Sequence, residues 1–130
     1  MFLTELEVHK IAEAGSTGRA RWRLTAPLAF ESASVRIITV PEGFETDFAS
    51  VPRLPLAYWL TGDTAHASAV IHDYLCREWY PAGKITWARA ADIFNEAMRA
   101  EGVPAWRRAL MTRAVKWFGE PRRGSAWSIE

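Results

Sequence analysis

Gly43-Phe44-Glu45-Thr46-Asp47-Phe48-Ala49-Ser50-Val51-Pro52-Arg53 is the stretch at which the chain changes its hydrophobic period. N-terminal to it, side chains suited to one buried face recur at every second position: Leu6 and Val8, Trp22 and Leu24, then Val35 and Ile37 with Thr39. This is the spacing of strands with one buried face. Turn-forming residues separate the runs, Ala14 to Gly18 between the first two and Pro27 to Ser34 between the next two, so antiparallel strands are expected. Within the quoted stretch Phe44, Thr46 and Phe48 predict one face of a short fourth strand, with Glu45 and Asp47 on the other. Ser50 and the prolines Pro52 and Pro55 then end the strand half. A proline has no backbone N–H, so this segment reads as an irregular crossing or a single helical turn capped by Ser50.

Beyond the crossing the period becomes helical. Asp63 or Thr64 can cap a helix running to about Trp79, with Ala67, Val70, Ile71, Tyr74 and Leu75 as its apolar stripe. Pro81 and Gly83 interrupt it. Thr86 can cap a second helix carrying Ala90, Ile93, Phe94, Ala97 and Met98, ended by Gly102 and Pro104. Pro104 is also a good first-turn residue for a third helix, with Trp106, Leu110, Ala114, Val115, Trp117 and Phe118 expected to face inward. Strands followed by helices without alternation predict an α+β fold, a small antiparallel sheet with three helices packed on it. Residues 1–118 are expected to form a single globular domain and residues 119–130 a C-terminal tail.

The 130 residues carry 16 Lys plus Arg against 15 Asp plus Glu, a formal charge of +1, which disfavours a general polyanion binder. With 49% hydrophobic and 24% charged residues, an ordinary packed domain is expected rather than a disordered chain. Cys76 is the single cysteine, so neither an intrachain disulfide nor a multi-cysteine zinc site is available. Met1 to Lys10 intersperses charge with apolar residues and does not resemble a secretory signal, and no apolar run approaches the ~20 residues of a membrane span.

Two polar elements hold the chemistry-bearing residues. The first is the quoted stretch, where Asp47, Thr46, Ser50 and Arg53 cluster at the strand-to-helix junction. Asp47 can close an Asx turn, Ser50 can cap, and Arg53 can pair with Asp47, so scaffolding and function both fit. The second is Ala69-Val70-Ile71-His72-Asp73-Tyr74-Leu75. An adjacent His-Asp pair can supply metal ligands or an acid–base couple, and His66 falls seven positions before Asp73 on nearly the same helical line. The plain alternative is that Asp73 pairs with Arg77 at i, i+4 and His72 covers the helix shoulder.

Together these residues resemble a phage and prophage family, domain of unknown function 1353. The matching segments are Gly43–Arg53, His72–Leu75 and Ala91–Met98, with a Phe118-Gly119 ending. Cys76 stands where an aromatic residue often follows in that pattern. The resemblance implies a small protein of tailed bacteriophages or integrated prophages, in the bacterial host cytoplasm or associated with the virion. It brings no established activity.

Two functions follow as expectations. One is a metal-assisted or acid–base hydrolase whose catalytic residues are Asp47, His72 and Asp73. Thr46, Ser50, Arg53 and His66 would surround the substrate, and Asp92 is a possible further ligand for a divalent metal. The other is a non-enzymatic virion, tail-assembly or host-binding protein in which the motif is structural, with other phage or host proteins as partners. Ser50 lacks the surroundings of a nucleophile elbow, and Cys76 on an apolar helix reads as a small buried hydrophobe. Trp22, Trp106 and Trp117 are expected in the core. Trp59, Trp79 and Trp87, with Tyr58 and Tyr80, form either core or an aromatic rim for a sugar or protein. Arg107, Arg108, Arg113 and Lys116, continued by Arg122 and Arg123, read as a solvated face and not as a strong nucleic-acid signal.

Overall fold

The computed structural model describes residues 1–12, 21–46 and 66–117. Five strands come first: β1 (Val8–Ala12), β2 (Arg21–Leu24), β3 (Leu28–Ser32), β4 (Arg36–Val40) and β5 (Glu45–Thr46). Helix α1 (His66–Tyr74) runs on into a π-helical segment, Leu75–Trp79, and is followed by α2 (Trp87–Ala100) and α3 (Ala105–Trp117). The fold is α+β, with strands in the N-terminal half and, among the described residues, three α-helices after them. Among the described residues the strands form two antiparallel sheets rather than one: β1-β2-β5, and the hairpin β3-β4.

The hairpin corrects two expectations. Pro27 to Ser34 is not simply a turn, because Leu28–Ser32 is a strand that buries Leu28, Phe30 and Ser32. Pro27 lies just ahead of that strand, where its missing N–H costs no ladder bond. The turn proper is Ala33-Ser34-Val35, and Arg36, which pairs with Ser32 as the chain leaves it, takes a left-handed φ of 68°. The register Phe30↔Ile38 and Leu28↔Val40 then sends Ile38 and Val40 into the core and leaves Ile37 and Thr39 outside. The run from Val35 to Val40 is β-branched at both parities, so alternation alone leaves the inward face open, and a one-residue shift inverts it.

Leu24, Leu28, Phe30, Ile38 and Val40 from the sheets close over Val70, Ile71, Leu75 and Cys76 of the first helical rod and over Ala90, Ile93 and Ala97 of α2. A second cluster, Phe94, Met98, Val103, Met111 and Val115, joins α2 to α3. Helix α1 is buried from Ala67 through Asp73, not along one stripe, because sheet and helices enclose it. The expected caps Asp63 and Thr64 lie outside the described residues, as do the tail from residue 119 and the turn at Ala14 to Gly18. Thr86 caps α2 as predicted, its side chain accepting the Arg89 N–H at 3.1 Å. Past the C-terminal end of α2, Gly102 takes a φ of 85°.

Helix α3 is rotated from the orientation its sequence suggests. Met111 and Val115 are buried, whereas Trp106 is 54% and Leu110 48% exposed. Apolar residues surround this helix, so no single stripe stands out. Its rotation is set from outside, by the Trp87 indole N–H donating to Val115 C=O at 2.9 Å and by Arg108 Nε donating to Asn95 Oδ1 at 3.2 Å. Phe118 and the side chain of Trp117 lie outside what is described.

Candidate functional site

Strand β5 delivers the start of the polar motif to α1. Gly43, with a φ of 91°, turns the chain into it, and Gly43 N–H donates to Leu24 C=O at 2.8 Å while Leu24 N–H donates to Phe44 C=O at 2.9 Å. Thr46 is buried opposite Trp22 on β2, and Glu45 is opposite Arg23. Glu45 accepts from Arg21 Nη2 at 3.1 Å and Arg23 Nη2 at 3.0 Å, and the Arg23 hydrogen bond and neighbouring charges hold its carboxyl below the usual range.

Arg77 ties this strand to the helix. Its Nη1 donates to Glu45 C=O at 2.7 Å and to Asp73 Oδ2 at 3.1 Å, and its guanidinium lies over the Phe44 ring at 4.9 Å. Phe44 in turn meets Tyr74 edge-on at 5.4 Å. The i, i+4 pair of Asp73 and Arg77 is therefore present and does more than decorate the helix. Asp73 is only 7% exposed, and the arginine is a partner for its buried charge.

His72 faces elsewhere. One residue round the helix from Asp73, it packs its ring on Phe94 of α2, with centroids 4.9 Å apart, and meets Trp87 edge-on at 6.4 Å. It thus fills the joint between the two apolar clusters, not the helix shoulder. At 3% exposure, burial pulls its pKa down from 6.5 to about 4, so the imidazole is neutral near pH 7. Its ring contact with a polar atom is Cys76 Sγ, 3.4 Å from Nε2 at i+4. Burial, and then the charge of Asp73, push the Cys76 thiol pKa up. A protonated thiol beside a neutral imidazole is the reverse of the thiolate–imidazolium couple of a cysteine nucleophile, and Cys76 is the buried small hydrophobe that its sequence context suggests.

Of the other candidates, His66 and Asp92 stand apart from His72. His66 is exposed at the first residue of α1, about 10 Å along the axis from Asp73 at 1.5 Å per residue. Asp92 does not enter the seam beside His72. It pairs with Lys116 of α3 at 3.0 Å, on a side of α2 well away from Phe94 and Trp87. Asp47, Ser50 and Arg53 lie outside the described residues, as do Tyr58 and Trp59. Of the expected aromatic rim, Trp87 is core and Trp79 and Tyr80 pack against the core half-buried. Among the described residues, no three His, Cys, Asp or Glu side chains gather as a metal site.

Two glutamates that sequence reasoning left without a role prove to be long-range caps. Glu96 accepts from Ser32 Oγ and Ala33 N–H, both at 2.8 Å, and so holds the β3-β4 turn. Glu101 accepts from Ser68 N–H at 2.8 Å, from Ala67 N–H at 3.3 Å and from the Ser68 hydroxyl, so it caps the start of α1 from the end of α2. No local signal could reveal either, since the partners are 33 to 64 residues away.

The described residues contain no helix long and apolar enough to cross a membrane. Neither the curated proteins nor the solved structures provide a match to this chain. The family described as protein of unknown function DUF1353 does match, over residues 22–115, which takes in the strand-to-helix junction, the His72-Asp73 pair and the Glu96 helix. The chain belongs to the DUF1353 family.

Proposed function

We propose that the polar motif is a folding device and that the protein is a non-enzymatic phage or prophage protein, acting through another phage or host protein in virion or tail assembly or in host binding. The observation that carries this reading is the enclosure of His72. A general base or metal-ligating imidazole must reach its substrate or ion, and this ring is 3% exposed, neutral, and stacked on Phe94. Asp73 is likewise spent on a structural task, holding Arg77 where it can grip the Glu45 carbonyl. Asp73 is the buried member of the pair and Arg77 the exposed one, its side chain 42% exposed, so the bridge holds a buried carboxylate to an arginine that spans strand and helix.

The hydrolase reading asks His72, Asp73 and a metal to act together, so metal is the test. The parent protein and His72→Leu are melted with and without millimolar Mg²⁺, Mn²⁺ or Zn²⁺. The expected result is no metal-dependent rise in Tm for either. A rise of several degrees in the parent that is lost in His72→Leu would overturn the structural reading, because binding to the folded state must stabilise it.

A further inference from the structure

Helix α3 carries an apolar pair that the fold leaves uncovered. Trp106 and Leu110, one turn apart, are 54% and 48% exposed. Ala109 and Arg113 share their side of the helix. The helix from Ala105 to Trp117 contains four cations, Arg107, Arg108, Arg113 and Lys116, and no acid. Among the described residues a single carboxylate, Asp92, answers them, and it is taken by Lys116. Arg108 is held by neutral acceptors, Asn95 Oδ1 and Val103 C=O, so its charge stays uncompensated. Arg107 lies over the Trp106 ring at 5.5 Å. Beside this ridge runs a groove of about 530 Å³ between α2 and α3, with Ala109, Thr112, Arg113 and Lys116 on its α3 wall. Among the described residues, Thr112 Oγ1 on that wall is enclosed without a hydrogen-bond partner.

We propose that this face of α3 docks an acidic amphipathic segment of a partner protein, its apolar side chains seated on Trp106 and Leu110 and its carboxylates against Arg107 and Arg113. The proposal rests on the reading of the protein as one that acts by binding another protein. Trp and Arg around an apolar centre are the composition of interface hot spots. Charge complementarity selects the partner: a second copy meeting this face across a two-fold axis would set like charges together. A nucleic acid could stack on Trp106, but it would need a longer run of phosphate contacts than the few cations here provide, so the DNA strand is a rival to be tested.

The test uses a dye-labelled 16-residue peptide of Glu with Leu at i, i+4 spacing, followed by fluorescence anisotropy at 0.15 M salt. Oligoglutamate and a 15-nucleotide thymidine strand serve as rival probes. The expected result is saturable binding of the Leu/Glu peptide, weakened roughly tenfold or more by Trp106→Ala, Leu110→Ser or Arg113→Glu, with Tm unchanged because all three side chains are exposed. Absence of saturable peptide binding, equal binding by the variants, or tighter binding of oligoglutamate or the DNA strand overturns the proposal. So does sedimentation showing a dimer that Leu110→Ser dissolves. If the peptide fails while the protein stays insensitive to metal, the docking face is lost and the non-enzymatic reading stands; a metal response lost in His72→Leu removes that reading itself.

Discussion

Replacing His72 with leucine should make the protein less sensitive to acid, by an amount that follows from the imidazole's surroundings. In the unfolded chain the ring takes up a proton with a pKa near 6.5; in the fold, burial against Phe94 and Trp87 lowers that to about 4. Above pH 6.5 the ring is neutral in both states and contributes no pH dependence. Between 6.5 and 4 the unfolded state holds the extra proton, so stability falls as pH falls, at up to about 1.4 kcal/mol per unit. Across the window the loss is about 3 kcal/mol, a large part of the roughly 5–15 kcal/mol that holds a domain together. Leucine is close to histidine in volume and apolar, so His72→Leu should stay within about 1.5 kcal/mol of the parent at pH 7.5. Urea denaturation at pH 7.5, 6.5, 5.5 and 4.5 measures both chains, and subtraction cancels the carboxylates they share. With an m-value of about 2 kcal/mol/M, the gap in midpoint should widen by about 1 M in favour of the variant by pH 4.5. Parallel profiles would refute the reasoning, since they would mean that the folded imidazole titrates as freely as the unfolded one and so reaches solvent.

The ion pair at the strand–helix seam gives a second measurement. Arg77→Met should cost about 1–2 kcal/mol, through the lost hydrogen bonds to Glu45 C=O and Asp73, and Asp73→Asn should cost less because an amide oxygen still accepts. A double-mutant cycle on chemical denaturation that finds the two residues independent would count against the bridge. Glu101→Ala should cost about 1–2 kcal/mol and speed hydrogen exchange at the Ala67 and Ser68 amides, with Glu101→Gln recovering part of the loss; unchanged exchange there would deny the long-range cap. Cys76 should resist Ellman's reagent at pH 8 in the folded protein and react once urea unfolds it, because the thiol is 2% exposed and its pKa is raised. Rapid stoichiometric labelling of the native chain would contradict that.

What the sequence determined by itself was everything governed by short-range chemistry. The change of period around Gly43 separates strands from helices, Thr86 caps α2, Gly102 ends it, and Asp73 meets Arg77 one turn on. Each of these depends on residues a few positions apart, and the chain's own geometry brings them together. The tertiary structure decided the rest. Which parity of Val35 to Val40 turns inward was settled by pairing with Leu28 and Phe30, and which side of α3 is buried was settled by Trp87 and Asn95. The same is true of the candidate site. His72 and Asp73 are adjacent in sequence, yet 100° of helical rotation points one ring at Phe94 and one carboxylate toward Arg77 and β5. A dipeptide specifies which groups are present, but whether an imidazole meets water or a phenyl ring depends on a residue 22 positions away, and only the packed molecule brings that residue to it.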